Sequence, residues 1–122
     1  MEPKLRSQYH HILSFKYAFE GITAAIKEEP NLKFHLLVAI LVVTSGIYFN
    51  VTKFEWVILI IAIGLVIALE LTNTAIEAIV DSFTEEQHPK AKYAKDIAAA
   101  AVMVSAIATA IVGIIIFLPY LK

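Results

Sequence analysis

Charge is absent from three long intervals of this 122-residue chain, and that gap pattern constrains its fold more than any motif does. Charged residues gather in about 1–33, 50–55 and 81–96, and the stretches between them are almost wholly apolar. Phe34 to Thr52 is one such stretch, and about 20 residues at ~1.5 Å each cross a ~30 Å hydrocarbon core. Ile97 to Leu121 is longer and can cross with tilt. Trp56 to Leu69 is shorter, at 14 residues. Its helical pattern, however, continues past Glu70 to about Phe83 with no Gly or Pro after Gly64, so it reads as one spanning helix with carboxylates at one end. With 59% hydrophobic residues and a mean hydropathy of +0.74, the chain is too apolar for an ordinary water-soluble domain. The expected fold is all-α and integral to the membrane: three transmembrane helices at about 32–50, 54–83 and 95–119 in a single membrane-embedded domain, 1–122.

Lysine and arginine set the expected orientation. Lys4, Arg6, Lys16, Lys27 and Lys33 precede the first span, and Lys90, Lys92 and Lys95 lie between the second and third. Lys53 and Lys122 fall on the other side. The positive-inside rule then predicts a cytoplasmic N-terminus, a cytoplasmic 81–96 loop and an external C-terminus. The first residues lack the apolar stretch of a cleavable signal peptide, so the mature chain is expected to begin here. Absence of cysteine removes disulfides and thiolate metal sites, and a net charge near zero argues against nucleic acid as a partner.

Ahead of the first span, Phe15, Phe19, Ile22 and Ile26 recur at helical spacing opposite Lys16, Glu20, Thr23 and Lys27. This predicts an amphipathic surface helix over about 14–28, with Ser14 as a cap. It should end at Glu29 to Asn31, because a residue before proline disfavours helical dihedrals. Its apolar face would lie in lipid or against the bundle.

The segment ELTNTAIEAIVD, residues 70–81, places Glu70, Asn73, Glu77 and Asp81 within a stripe roughly 80° wide on one helix face. Carboxylates at membrane depth are costly and seldom persist without a partner or a task. Stacked acidic oxygens call for a cation, and hard oxygen donors of this type suit Mg²⁺ with phosphate oxygens and water. The spacing alone is also compatible with a solvated helix end, or with a proton pathway through Glu70 in a small proton-coupled transporter. After the stripe comes a polar loop, SFTEEQHPKAKYAKD, whose Lys90, Lys92 and Lys95 suit a phosphorylated ligand, with Pro89 preventing a continuous helix. His88 is a possible ligand or base, or a solvated loop side chain. No glycine-rich phosphate loop is present. Trp56, Tyr48, Phe49 and Tyr120 lie at span ends and read as interfacial anchors. Small residues along the third span, Ala98 to Ala101, Ser105, Ala106, Ala108 and Ala110, permit close helix approach.

ELTNTAIEAIVD, followed by HPKAKYAKD and preceded by AFEGI and KEEPN, resembles the small prokaryotic diacylglycerol and undecaprenol kinases over nearly the whole chain. The resemblance implies an ATP-dependent lipid kinase in the bacterial cell membrane. It also implies a homotrimer with active sites between subunits at the cytoplasmic boundary, with Mg²⁺ and ATP as phosphoryl donor. By resemblance, Glu70 is the general base for the lipid hydroxyl, Asn73 its polar support, and Glu29 and Glu77 the metal-bridging carboxylates. Tyr17, Glu86, Gln87, His88, Lys95 and Asp96 match nucleotide-contacting positions, and Asp81 extends the acidic stripe. The surface helix would act as a lid beside which the lipid enters. FKYAFEGI, HPKAKYAKD and the IIIFLPYLK ending resemble the Gram-positive branch, which implies undecaprenol as acceptor, with diacylglycerol as the alternative.

Overall fold

The computed structural model describes residues 13–84, 86 and 88–122, and among these it is helical apart from short links and has no strand. Helix α1 spans Leu13–Glu28, α2 Pro30–Phe49, α3 Lys53–Phe83 and α4 Pro89–Phe117, followed by a 3₁₀ turn, Leu118–Leu121. Helix α1 already includes Ser14, so the residue expected to cap it lies within its first turn, and that side chain is outside the described residues.

Each boundary has a local cause. Pro30 forces Glu29 out of the helical region (φ −104°, ψ 106°), which separates α1 from α2. Lys33 Nζ then donates to the Lys27 carbonyl at 3.1 Å, satisfying an orphan acceptor at the end of α1. Asn50 ends α2 in the left-handed region (φ 52°, ψ 52°), with its N–H on the carbonyls of Gly46 and Ile47. Thr52 and Glu55 form a reciprocal capping box that starts α3.

Residues 89–94, expected to precede the third span, are instead the first turns of α4. Pro89 interrupts the backbone before it and is preorganised for the first helical position after it, and His88 Nδ1 accepts from the Lys90 N–H at 3.2 Å. Three helical segments, Pro30–Phe49, Lys53–Phe83 and Pro89–Leu121, are long and apolar enough to cross a membrane. At 31 residues α3 is ~46 Å long, so beyond a ~30 Å core its acidic end projects into the interfacial layer.

The most extensive packing is between α3 and α4, with α2 laid along α3. At the end remote from Glu70, Val51, Leu59 and Ile116 form a small core backed by Phe49, Trp56 and Tyr120. Trp56 is part of this packing and lies over Gly46, while Tyr48 stands exposed. Polarity is otherwise inverted relative to a water-soluble protein: Ile60, Ile61, Ile107, Ile114 and Ile115 face outward while Glu70, Asn73 and Ser105 are buried. Outward apolar faces over three spanning helices make this a multi-pass membrane protein. On α1, Ala25 is buried against the bundle, whereas Phe15, Phe19, Ile22 and Ile26 remain uncovered by the chain itself. That leaves the amphipathic face free to rest in lipid.

Candidate active site

Helix α3 carries the whole carboxylate stripe without a break. Glu70 is only 2% exposed and Asn73 6%, so both are removed from water, whereas Glu77 is half-buried and Asp81 exposed. The stripe therefore grades from buried to solvated over about three turns. Asn73 Nδ2 donates to Glu77 Oε1 at 3.3 Å, one turn further along. Its other amide atom, Oδ1, is buried with no hydrogen-bond partner among the described residues, as is Thr74 Oγ1. A buried acceptor without a donor is costly to maintain in the folded protein, which fits a group that meets a ligand.

Glu29, in the extended link between α1 and α2, is half-buried and close enough for its charge to bear on Glu70, together with Glu77 and His35. His35 Nε2 lies 3.9 Å from Glu70 Oε2, with 17% and 3% of the two side chains exposed. Sequence reasoning passed over His35. A histidine inside the uncharged interval Phe34 to Thr52 was nevertheless a legible signal, since an ionisable group at membrane depth is unusual.

A second cluster forms where α3 ends and α4 begins. Asp81, Glu86, His88, Lys92, Lys95 and Asp96 line a groove of about 540 Å³. Lys95 Nζ donates to Asp81 Oδ1 at 2.8 Å, and the charges of Glu77 and Asp96 also act on it. Lys92 pairs with Asp96 one helical turn away. His88 serves as the α4 cap, which assigns its Nδ1 a structural acceptor role. Glu77 links the two clusters, since it acts on Glu70 on one side and on Lys95 on the other.

Most of the residues singled out by sequence therefore meet at one end of the bundle. Tyr17 is exposed on α1, with no hydrogen bond or ion pair to the others among the described residues. Gln87 lies outside the described residues. Among the described residues, no three His, Asp or Glu side chains converge as a preformed metal site. Mg²⁺ in phosphoryl-transfer sites needs only one or two protein carboxylates, the rest being phosphate oxygens and water. Glu29 in the link before α2, with Glu77 and the unpartnered Asn73 Oδ1 on α3, offers hard oxygens of the kind that suits that ion.

Residues 16–117 match the family described as prokaryotic diacylglycerol kinase. An undecaprenol kinase of Bacillus subtilis is 44% identical over 108 residues, covering 88% of each chain. A diacylglycerol kinase of Synechocystis is 37% identical over 88% of this chain and 62% of its own. One from Haemophilus influenzae is 36% identical over 87% of each. These relatives are kinases, and the proton-coupled transporter reading finds no support among them. With a family match over most of its length and a carboxylate stripe that begins at the buried Glu70 on its second span, the chain belongs to the prokaryotic diacylglycerol kinase family, a membrane lipid kinase that transfers a phosphoryl group to an alcohol.

Proposed function

We propose that this protein phosphorylates undecaprenol with Mg-ATP at the cytoplasmic face of the bacterial cell membrane, as a homotrimer with the N-terminus inside and the C-terminus outside. The observation that carries this reading is Glu70: a carboxylate 2% exposed, on a spanning helix, at the point where the stripe turns toward solvent. A base placed there reaches an alcohol whose hydrocarbon remains in the bilayer. The similarity to an undecaprenol kinase at 44% identity favours the polyprenol as acceptor.

In this mechanism Glu70 accepts the hydroxyl proton as the alcohol oxygen bonds to the γ-phosphorus and the bond to the ADP oxygen breaks. Asn73, held to Glu77 through its amide nitrogen, keeps an Oδ1 with no partner among the described residues, available to a ligand. Glu29 and Glu77 would hold Mg²⁺, which when bound neutralises the negative charge of the phosphates. Lys95 in the groove between α3 and α4 faces the nucleotide phosphates, with Glu86, His88 and Asp96 around it and Asp81 setting its position. Phosphoryl transfer depends on such positioning and charge neutralisation far more than on covalent chemistry. Tyr17, Gln87 and the surface helix would complete the nucleotide and lipid entrances.

The test is transfer of labelled γ-phosphate from Mg-ATP by the purified protein in mixed micelles, with undecaprenol and diacylglycerol offered separately and Glu70→Ala as control. Preferential labelling of undecaprenol, lost in the variant, is the expected result. Preferential labelling of diacylglycerol would move the protein to the second reading, which the similarity to the Synechocystis and Haemophilus influenzae kinases favours.

A further inference from the structure

Glu70 has one basic side chain within ion-pair distance among the described residues, and it comes from a different helix. His35, in the second turn of α2, brings Nε2 to 3.9 Å from Glu70 Oε2. The neighbouring carboxylates whose charges reach Glu70, from Glu77 and Glu29, are both repulsive to it, so the imidazole is its attractive partner among the described residues. The Phe34 ring sits edge-on to the imidazole with centroids 5.6 Å apart.

His35 also lines a second cavity. An apolar groove of about 560 Å³ runs between α2, α3 and α4, past Val38, Val66, Ala106 and Gly113 to Phe117 at the far end of the bundle. His35 is the sole titratable side chain on its wall among the described residues. An ionisable group within a spanning helix, turned toward a buried carboxylate rather than toward water, is not explained by packing.

We infer that His35 is a positioning residue for Glu70: its Nε2 holds carboxylate oxygen Oε2, which leaves Oε1 directed to the acceptor hydroxyl. This rests on the reading of Glu70 as the base. The separation of 3.9 Å exceeds a hydrogen bond but lies within an adjustment of side-chain torsions, and catalytic hydrogen bonds commonly shorten when substrate arrives. The proton taken from the alcohol resides on Oε1 after transfer, and the imidazole stays unchanged through the step. A carboxylate free to rotate would meet the hydroxyl in fewer productive encounters, with no change in how ATP binds.

Four variants of the full-length protein in mixed micelles test this: His35→Leu, His35→Gln, His35→Asn and Glu70→Ala. Leucine suits the apolar wall but offers no donor. Glutamine places an N–H donor close to the position of Nε2, and asparagine places one too near the backbone to reach. His35→Leu is expected to lower kcat ~10- to 100-fold with the KM for ATP within about twofold, the pattern of an interaction made in the transition state. His35→Gln is expected to recover a large part of that loss and His35→Asn little of it. A merely structural histidine would not rank the two amides in that order. His35→Leu with kcat close to that of the unsubstituted protein, or His35→Asn as active as His35→Gln, overturns the inference while Glu70→Ala stays inactive. Should His35→Leu fail to fold, the order of the two amide variants still decides. An active Glu70→Ala protein would instead remove the base itself, and the positioning role with it.

Discussion

Lys95 Nζ and Asp81 Oδ1 stand 2.8 Å apart, tying the last turn of α3 to the second turn of α4 across the polar connection. Both side chains are partly exposed, and an exposed ion pair contributes little to stability. The pair instead fixes the direction of the lysine in the groove, where the charges of Glu77 and Asp96 also reach it. If Lys95 faces the nucleotide, Lys95→Met should lower kcat/KM for ATP strongly while the thermal midpoint stays essentially unchanged. Asp81→Asn, which leaves the cation but loosens its direction, should give a smaller loss. Equal effects of the two on activity would indicate that the pair acts through structure alone.

Glu77 stands between the buried and the solvated halves of the site, accepting from Asn73 Nδ2 at 3.3 Å. Glu77→Gln retains shape and a hydrogen-bonding oxygen but removes the charge that a hard cation needs. Near-complete loss of turnover at ordinary Mg²⁺ is expected, with the Mg²⁺ concentration for half-maximal rate raised ~10- to 100-fold in whatever activity remains. An unaltered Mg²⁺ dependence would remove Glu77 from the metal site.

The far end of the bundle offers a control. Tyr120 Oη donates to Glu55 Oε2 at 2.6 Å, joining the terminal 3₁₀ turn to the capping box of α3. Glu55 lies on the same helix as Glu70 but ~22 Å from it along the axis. Tyr120→Phe should therefore leave kcat and both KM values unchanged while the Leu118–Leu121 turn becomes more susceptible to carboxypeptidase. Loss of turnover in this variant would mean that the two ends of the bundle are coupled.

The spans and the carboxylate stripe were legible because they depend on two short-range signals, a gap in charge and a helical period, which a membrane environment makes hard to override. The stripe from Glu70 to Asp81 needs nothing beyond an unbroken helix. The start of α4 was obscured because Pro89 carries opposite meanings: it breaks a helix that precedes it and favours one that follows. His35 was missed because its significance is a cross-helix distance to Glu70, and no spacing within one chain segment encodes which residue of α2 faces which of α3. The packing of Trp56 over Gly46 was hidden for the same reason, because a place at a span end does not encode which residue of α2 the indole meets.

That contact yields the sharpest structural prediction. A Cβ built on Gly46 would lie 2.7 Å from Trp56 Cη2 and 2.9 Å from its Cζ2, closer than real carbon contacts allow. Gly46 is buried within α2, where the helix gains nothing from glycine's flexibility and forgoes the better propensity of alanine. The glycine is there for the indole. Gly46→Ala should thus destabilise the protein by about 1–3 kcal/mol, as overpacking typically does, although the same change on an open helix face would stabilise it. Gly64 and Gly113, which have nothing within 4 Å of a built Cβ, provide that comparison. Gly64→Ala should leave the thermal midpoint in detergent equal or higher. Replacing the indole in the double variant Gly46→Ala, Trp56→Leu should relieve the clash, so that the second substitution costs less in the Gly46→Ala background than in the unsubstituted protein. Strictly additive losses would show that the helix α2 to α3 approach is not set by this pair.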